Sequence, residues 1–232
     1  MNTNDQFSIA KINGIEVTVN RPYRITANGS VDFFCGTKNN DIIEHEEKFD
    51  NKIKDNFKTM FPRLYYLARH LFCPGLLITR SPKYMLKRYF SNFKNNKILN
   101  IGSASDIIAP EVINLDLFYT PNVHVLANGT DLPFAGSQFD AVIADMTLEH
   151  VAEAGQMISE IGRVLKNDGY IYVSVPFMTA FHSAPGDYYR WTIEGLHYAF
   201  KNYNIKELDS RDGPASGLAY VLVDFFGYFF AH

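Results

Sequence analysis

The sequence predicts an α/β protein: a doubly wound, mostly parallel Rossmann-like sheet with a small N-terminal β appendage. Three observations between Lys97 and Pro176 carry the prediction. Short apolar runs without polar alternation recur at 98–101, 112–116, 139–145 and 170–176, as in strands buried on both faces. A longer segment, 148–166, has apolar residues at helical spacing and lies between the last two runs. The first three runs end on Gly102, Asp116 and Asp145, and open parallel sheets bind ligands outside the carboxyl ends of their strands.

The whole chain sets the bounds. Its 232 residues make one large domain, or one domain with an appendage. The expected division is an appendage and linker over 1–58 and the main domain over 59–232. A formal charge of −3 gives no global pull towards nucleic acid, so none is expected as a partner. Two cysteines, Cys35 and Cys73, are too few for a disulfide framework or a four-ligand zinc site. A reduced, cytoplasmic chain is the simplest reading. The start, Met-Asn-Thr-Asn-Asp-Gln, has no basic region followed by an apolar core, so it does not read as a signal peptide. No run is long and apolar enough to predict a spanning helix.

Residues 7–34 alternate in short β-rich pieces punctuated by Asn13-Gly14 and Asn28-Gly29. Asn-Gly between such runs is the strongest short hairpin signal, so a small antiparallel unit is expected. Residues 37–58 are charged and read as linker or solvated helix. From Met60 to Phe93 aromatic residues interleave with Arg80, Lys83, Lys87 and Arg88. Such mixtures can bind nucleic acid or anionic lipid. The favoured reading is helices with apolar faces on the sheet and lysines in water.

In the central block, Gly102 lets the backbone approach a bound molecule. Asp116 ends the second strand, where a carboxylate can accept hydrogen bonds from ribose hydroxyls. Asp131 lies in the next turn, where an acid can read an adenine edge, and Asp145 ends the following strand. Together they point to a nucleoside-containing cofactor. In 148–166 the apolar positions Val151, Ala154, Met157, Ile158, Ile161, Val164 and Leu165 form the core face, with Glu149 and His150 at the entry. His150 is read as organising the strand–helix turn by hydrogen bonds rather than touching a ligand.

The same residues carry a resemblance. Asn100-Ile-Gly-Ser-Ala-Ser, Asn128-Gly-Thr-Asp-Leu-Pro-Phe, Phe139-Asp-Ala-Val, Leu148-Glu-His-Val and Val164-Leu-Lys-Asn-Asp-Gly stand in the order of the motifs of class I S-adenosylmethionine-dependent methyltransferases of the small type 11 kind. The chain resembles that family over about Lys97 to Asp209. The resemblance implies S-adenosylmethionine as cofactor, held by Gly102, Asp116 and Asp131 with Asn100, Ser103 and Asp145 nearby. Two departures stand out: Asn100 replaces the family's acid, and Ala104 replaces its second glycine. The connection between Ile101 and Val112 is near the lower limit of about 10–12 residues for a βαβ crossover, so the first helix is expected to shrink to a turn. Residues 23–33 faintly resemble the end of a zinc-ribbon domain fused ahead of such enzymes. The metal-binding cysteines are missing there, so no metal is expected.

The segment Phe177 to Thr192 leaves the fifth strand on the ligand side. It resembles the His…Asp-Tyr…Arg run of a methyltransferase subgroup often encoded among surface-polysaccharide genes. His182 is of the residue type suited to act as a base near neutral pH. Asp187 can orient it or hold a sugar hydroxyl, and Arg190 can bind a carboxylate or phosphate. The equally weighted alternative is that Asp187 and Arg190 pair and pin the loop. The implied acceptor is a small molecule, glycan or lipid-linked intermediate, methylated on oxygen. A non-catalytic binding or assembly module is the rival reading. Thr192 and Glu194 read as a helix start. Residues 203–209 read as one more strand. The apolar segment from Gly213 to His232 reads as a core, dimer-forming or peripheral membrane helix.

Overall fold

The computed structural model describes residues 7–34, 80–90, 95–179, 181–182, 185–211, 217–218 and 221. The predicted linker over 37–58, most of the aromatic–basic segment, both cysteines and nearly all of the apolar C-terminal segment lie outside them. Among the described residues no helix is long and apolar enough to cross a membrane.

The first hairpin joins β1 (Ser8–Ile12) to β2 (Ile15–Val19). Asn13 and Gly14 form its turn with φ of 50° and 77°, the left-handed pair that a two-residue hairpin of the favoured twist requires. Every second residue faces inward: Ala10, Ile12, Val17 and Val19 are buried. A second hairpin pairs β3 (Arg24–Ile25) with β4 (Val31–Asp32). The antiparallel expectation for this region holds within each hairpin. One strand goes further, because β4 also pairs in parallel with β7 (Val125–Leu126) and extends the main sheet.

That sheet runs in the order β3-β4-β7-β6-β5-β8-β9, with β5 at Ile98–Ile101, β6 at Val112–Asp116, β8 at Phe139–Asp145 and β9 at Leu165–Ser174. All neighbouring pairs except β3–β4 are parallel. The doubly wound, mostly parallel prediction is therefore met. Chain order reverses between β5 and β8, which makes their carboxyl ends the switch point where such sheets bind ligands.

Each face of the sheet has a cover. Helix α2 (Ala154–Val164) buries Ala154, Met157, Ile158, Ile161 and Val164, all of them predicted core positions, in one cluster with the first hairpin. On the other face, helix α1 (Pro82–Tyr89) puts Leu86 against Ile98, Val112, Ala141 and Ile143. Lys83, Lys87 and Arg88 on α1 are exposed, as the favoured reading of this basic stretch required. Helix α3 (Ile193–Ala199) starts where expected, with Thr192 Oγ1 accepting the Gly195 N–H at 3.0 Å.

Three local expectations are corrected. The helix read over 148–166 is broken into a 3-10 turn (Leu148–His150) and α2. The carbonyl of Glu149 accepts the Tyr188 N–H at 2.8 Å, and the turn closes on Thr147 and Leu148, so a continuous α-helical ladder cannot form. The Lys-Asn-Asp-Gly turn is instead a bulge inside β9: Leu165 faces Phe139, Tyr170 faces Ala141, and 166–169 loop out between them. Lys166 Nζ closes the bulge on Asp140 at 2.6 Å. Residues 203–209 form no strand. They are held by side chains instead, Glu207 by Tyr89 and Arg88, and Asp209 by Arg80. The short crossover after β5 contains turns and bends but no helix, in line with its length.

Phe134 joins the layers. It is fully buried, its ring meets Phe139 edge-on at 5.0 Å, and its backbone bridges Val19. Phe134→Ala is expected to cost about 3–5 kcal/mol of unfolding free energy, read as a lowered midpoint in urea denaturation. A change below about 1 kcal/mol would mean the hairpin is not part of the cooperative core.

Candidate functional site

The carboxyl ends of β5 and β6 form one half of the site. Gly102 leaves β5 with φ +69°, and an added Cβ would lie 2.4 Å from Thr147 Cγ2. Both the backbone angle and the space therefore require glycine. Thr147 in turn donates its hydroxyl towards the carbonyls of Ile101 and Asp145 at 3.2 and 3.0 Å, tying the ends of β5 and β8 together. The N–H groups of Gly102 and Ser103 reach back to the Leu115 carbonyl.

Asp116 stands at the end of β6, half-buried. Its Oδ2 accepts the Ala104 N–H at 2.7 Å and its Oδ1 accepts the Phe118 N–H at 3.0 Å. Ala104 itself has φ +45°. A carboxylate has about four acceptor positions, so Asp116 retains capacity for ribose hydroxyls. Beside it, the hydroxyl of Ser103 is buried without a partner. A free acceptor and an orphaned hydroxyl in one glycine turn fit a hydroxyl-rich nucleoside.

The other predicted cofactor residues are more committed. Asn100 is buried and its amide donates to Asn114 Oδ1 at 3.2 Å. Asp131 is exposed, but its Oδ2 and backbone carbonyl are both held by Arg21, at 2.7 and 2.6 Å. Asp145 accepts from the Arg211 guanidinium, which also reaches Ser174 Oγ at 3.1 Å. Burial raises the Asp145 carboxyl, and Arg211 opposes that shift. The turn around Asp131 is fixed from two sides. Leu132 N–H donates to Glu160 Oε2 at 2.8 Å, Arg163 bonds the carbonyls of Leu132 and Phe134, and Asn20 N–H donates to Pro133.

The second half lies where the loop after β9 crosses the 3-10 turn. Asp187 is almost fully buried and takes a two-pronged grip from Arg190. That guanidinium holds the Asp187 carboxyl well below the usual carboxylate range. Asp187 Oδ2 also accepts the backbone N–H of His182 at 2.9 Å and lies 3.7 Å from His182 Nδ1. Arg190 bonds the Thr179 carbonyl at 2.8 Å. His182 then meets His150 edge-on, ring centres 5.0 Å apart. His150 bonds the Gly186 carbonyl through Nδ1, so it organises the loop rather than the strand–helix turn assigned to it.

Sequence reasoning noted Glu149 but gave it no role. Its side chain is 0% exposed and neither carboxylate oxygen has a hydrogen-bond partner. Burial pushes its pKa up to about 7. The available signal was an acid inside an otherwise apolar strand–helix junction. Arg21, Arg211 and Thr147 were also missed, and no local pattern marks them.

Residues 104–173 match a family described as a methyltransferase domain. No curated protein matches the chain. Among solved structures it is similar to the YcgJ protein of Bacillus subtilis, 20% identical over 40% of this chain and 49% of that one, TM-score 0.37. It is also similar to a SAM dependent methyltransferase of Aquifex aeolicus, 14% identical over 59% and 86%, TM-score 0.42. A third similarity is to a Haloferax volcanii complex containing the Trm112 methyltransferase activator, 18% identical over 65% and 75%, TM-score 0.44. The chain spans about half the length of the first of these. The matched segment runs from the turn after β5 into β9 and so covers the switch-point half of the sheet.

Glu149 generates a pH prediction. Its folded pKa of about 7 lies above an ordinary value of 4.5, so between these values the native state binds more protons than the unfolded one, and stability falls as pH rises. Glu149→Gln removes the dependence. The variant should gain on the wild type between about pH 4.5 and 7, by on the order of 3 kcal/mol, with no further gain above. Urea midpoints at pH 5 and pH 8, in buffer with chelator, give the comparison. A difference that does not change with pH would show that Glu149 titrates normally.

Proposed function

We propose that this chain transfers a methyl group to a hydroxyl of a small-molecule, glycan or lipid-linked acceptor. The observation that carries the reading is Asp116, a carboxylate with spare acceptor capacity beside a glycine turn at the switch point. Gly102, Ser103 and Asp116 hold the nucleoside end of the cofactor. Asn100, Asp131 and Asp145 shape the surrounding turns. Bound there, S-adenosylmethionine supplies an electrophilic methyl group on a sulfonium.

The chain's own part is alignment and proton removal. His182 takes the proton of the acceptor hydroxyl. Asp187 sets the position of His182 through its backbone N–H, and Arg190 pins Asp187 and the loop. Phe177, Met178, Phe181 and Tyr188 are exposed on the same loop. Aromatic and apolar surfaces of this kind suit the flat faces of a sugar or the start of a lipid chain. The surface-polysaccharide setting implied by the loop motif belongs to this reading.

A second reading, a non-catalytic binding or assembly module, draws on Asn100 turned onto Asn114 and Asp131 taken up by Arg21. Both remove polar groups from the cofactor's reach. Calorimetric titration with S-adenosylmethionine and S-adenosylhomocysteine separates the two. Micromolar binding that Asp116→Ala weakens at least tenfold is expected. No binding to the wild type at millimolar cofactor would favour the module. With nucleotide sugars or lipid-linked glycans as acceptors, His182→Gln is expected to lower kcat by about 100-fold or more, the scale of general base catalysis. Unchanged turnover would remove His182 from the chemistry.

A further inference from the structure

The 3-10 turn and the loop after β9 bring three ligand-type side chains together from distant parts of the sequence. One ligand atom each from Glu149, His150 and His182 lies within 4.8 Å of the other two. A tetrahedral ion bound at about 2.0–2.1 Å holds its ligands about 3.4 Å apart, so modest side-chain rotation closes the set. We propose that Glu149, His150 and His182 form a binding site for a divalent transition-metal ion of the zinc kind, with at least one coordination position left open.

Independent features prepare each ligand. Both Glu149 oxygens are buried without a hydrogen-bond partner, and Oε1 lies 3.9 Å from His150 Nε2. Such a carboxylate is costly unless something pairs with it. His150 turns Nδ1 to the Gly186 carbonyl. A carbonyl only accepts, so Nδ1 carries the proton and Nε2 presents its lone pair to the cluster. This is the backing that metal-bound imidazoles usually have. His182 is backed by Asp187, which accepts its backbone N–H. Arg190, whose charge acts on Glu149, is already paired with Asp187, so that charge is largely compensated. Two imidazoles and one carboxylate suit zinc, cobalt and similar ions better than magnesium or calcium, which favour all-oxygen sets. The expectation of no metal rested on cysteine counts and did not consider residues brought together across the fold.

The inference deepens the proposed reading of this face and rests on it only for the acceptor chemistry. An ion held there would leave an open position for the acceptor's hydroxyl oxygen and would lower the pKa of that hydroxyl, so that its proton could pass to solvent water. In the loaded site His182 is then a ligand, and its role as base belongs to the metal-free chain. Metal binding itself does not depend on methyl transfer.

The test uses the full chain, stripped with chelator and titrated with Co²⁺. Visible absorption reports nitrogen and oxygen ligation, and Zn²⁺ competition checks the site. One equivalent of saturable binding is expected. Loss of an outer partner alone costs roughly 10–100-fold in metal affinity, so His182→Gln and Glu149→Gln should weaken binding by about 100-fold or more. His182 lies on a loop and is partly exposed, so its variant is expected to fold, with far-ultraviolet circular dichroism as the check. Asp116→Ala should bind Co²⁺ like the wild type while losing S-adenosylmethionine. Absence of saturable Co²⁺ binding, or equal binding by a folded His182→Gln variant, would overturn the site. Failure of the wild type to bind S-adenosylmethionine, with its Co²⁺ binding intact, would instead count against the methyltransferase reading alone.

Discussion

Thr147 is the fastening on which the site depends. Its hydroxyl spans the last carbonyls of β5 and β8, and its side chain fills the space that a side chain on Gly102 would need. These two strands flank the point where the sheet reverses direction. The groove of any open parallel sheet lies there because successive crossovers depart to opposite faces. Here its floor is set by one side chain, packed against one glycine. The turn carrying Ala104 back to Asp116, and the 3-10 turn carrying Glu149 and His150, start from opposite sides of this fastening.

The fold was legible where burial alone decides structure. Strands β5, β6 and β8 are enclosed on both faces, so their composition reports their conformation directly. Helix α2 was equally plain, because one apolar stripe fixed both its period and its face. Reading failed where side chains, rather than patterns, set the backbone. The segment 203–209 has strand-like composition, yet Tyr89, Arg88 and Arg80 hold it by its acids away from a ladder. The entry to α2 looked helical until Tyr188, far along the chain, claimed the Glu149 carbonyl.

The candidate site divides in the same way. Gly102 and Asp116 were visible because strand ends have fixed roles in this architecture. Asp187 and Arg190 were identified as a pair or a site, and their geometry is that of a pair that holds His182 in place. Asp131 was read as facing the cofactor's adenine; its partner in the structure, Arg21, lies 110 residues away. Glu149 was passed over because a single acid near an apolar run ordinarily points to solvent. Only the folded chain shows it sealed beneath the loop. Charges paired through long-range contacts leave no local trace in a sequence, and they are much of what the site adds to the fold.

The pairing of β4 with β7 bears on how the chain is made. During synthesis the N-terminal hairpins leave the ribosome long before β7, β6 and Asp131 exist. Until then, β4 has one hydrogen-bonding edge unfilled, and the apolar side of the first hairpin, Val17 and Val19, has nothing to cover. Exposed edges of this kind invite pairing with other chains. The native alternative requires closing a long stretch of sequence, which is slow. The strands at this edge of the sheet are thus made long before the strand they dock against, and the nascent chain is prone to misassociate while they wait.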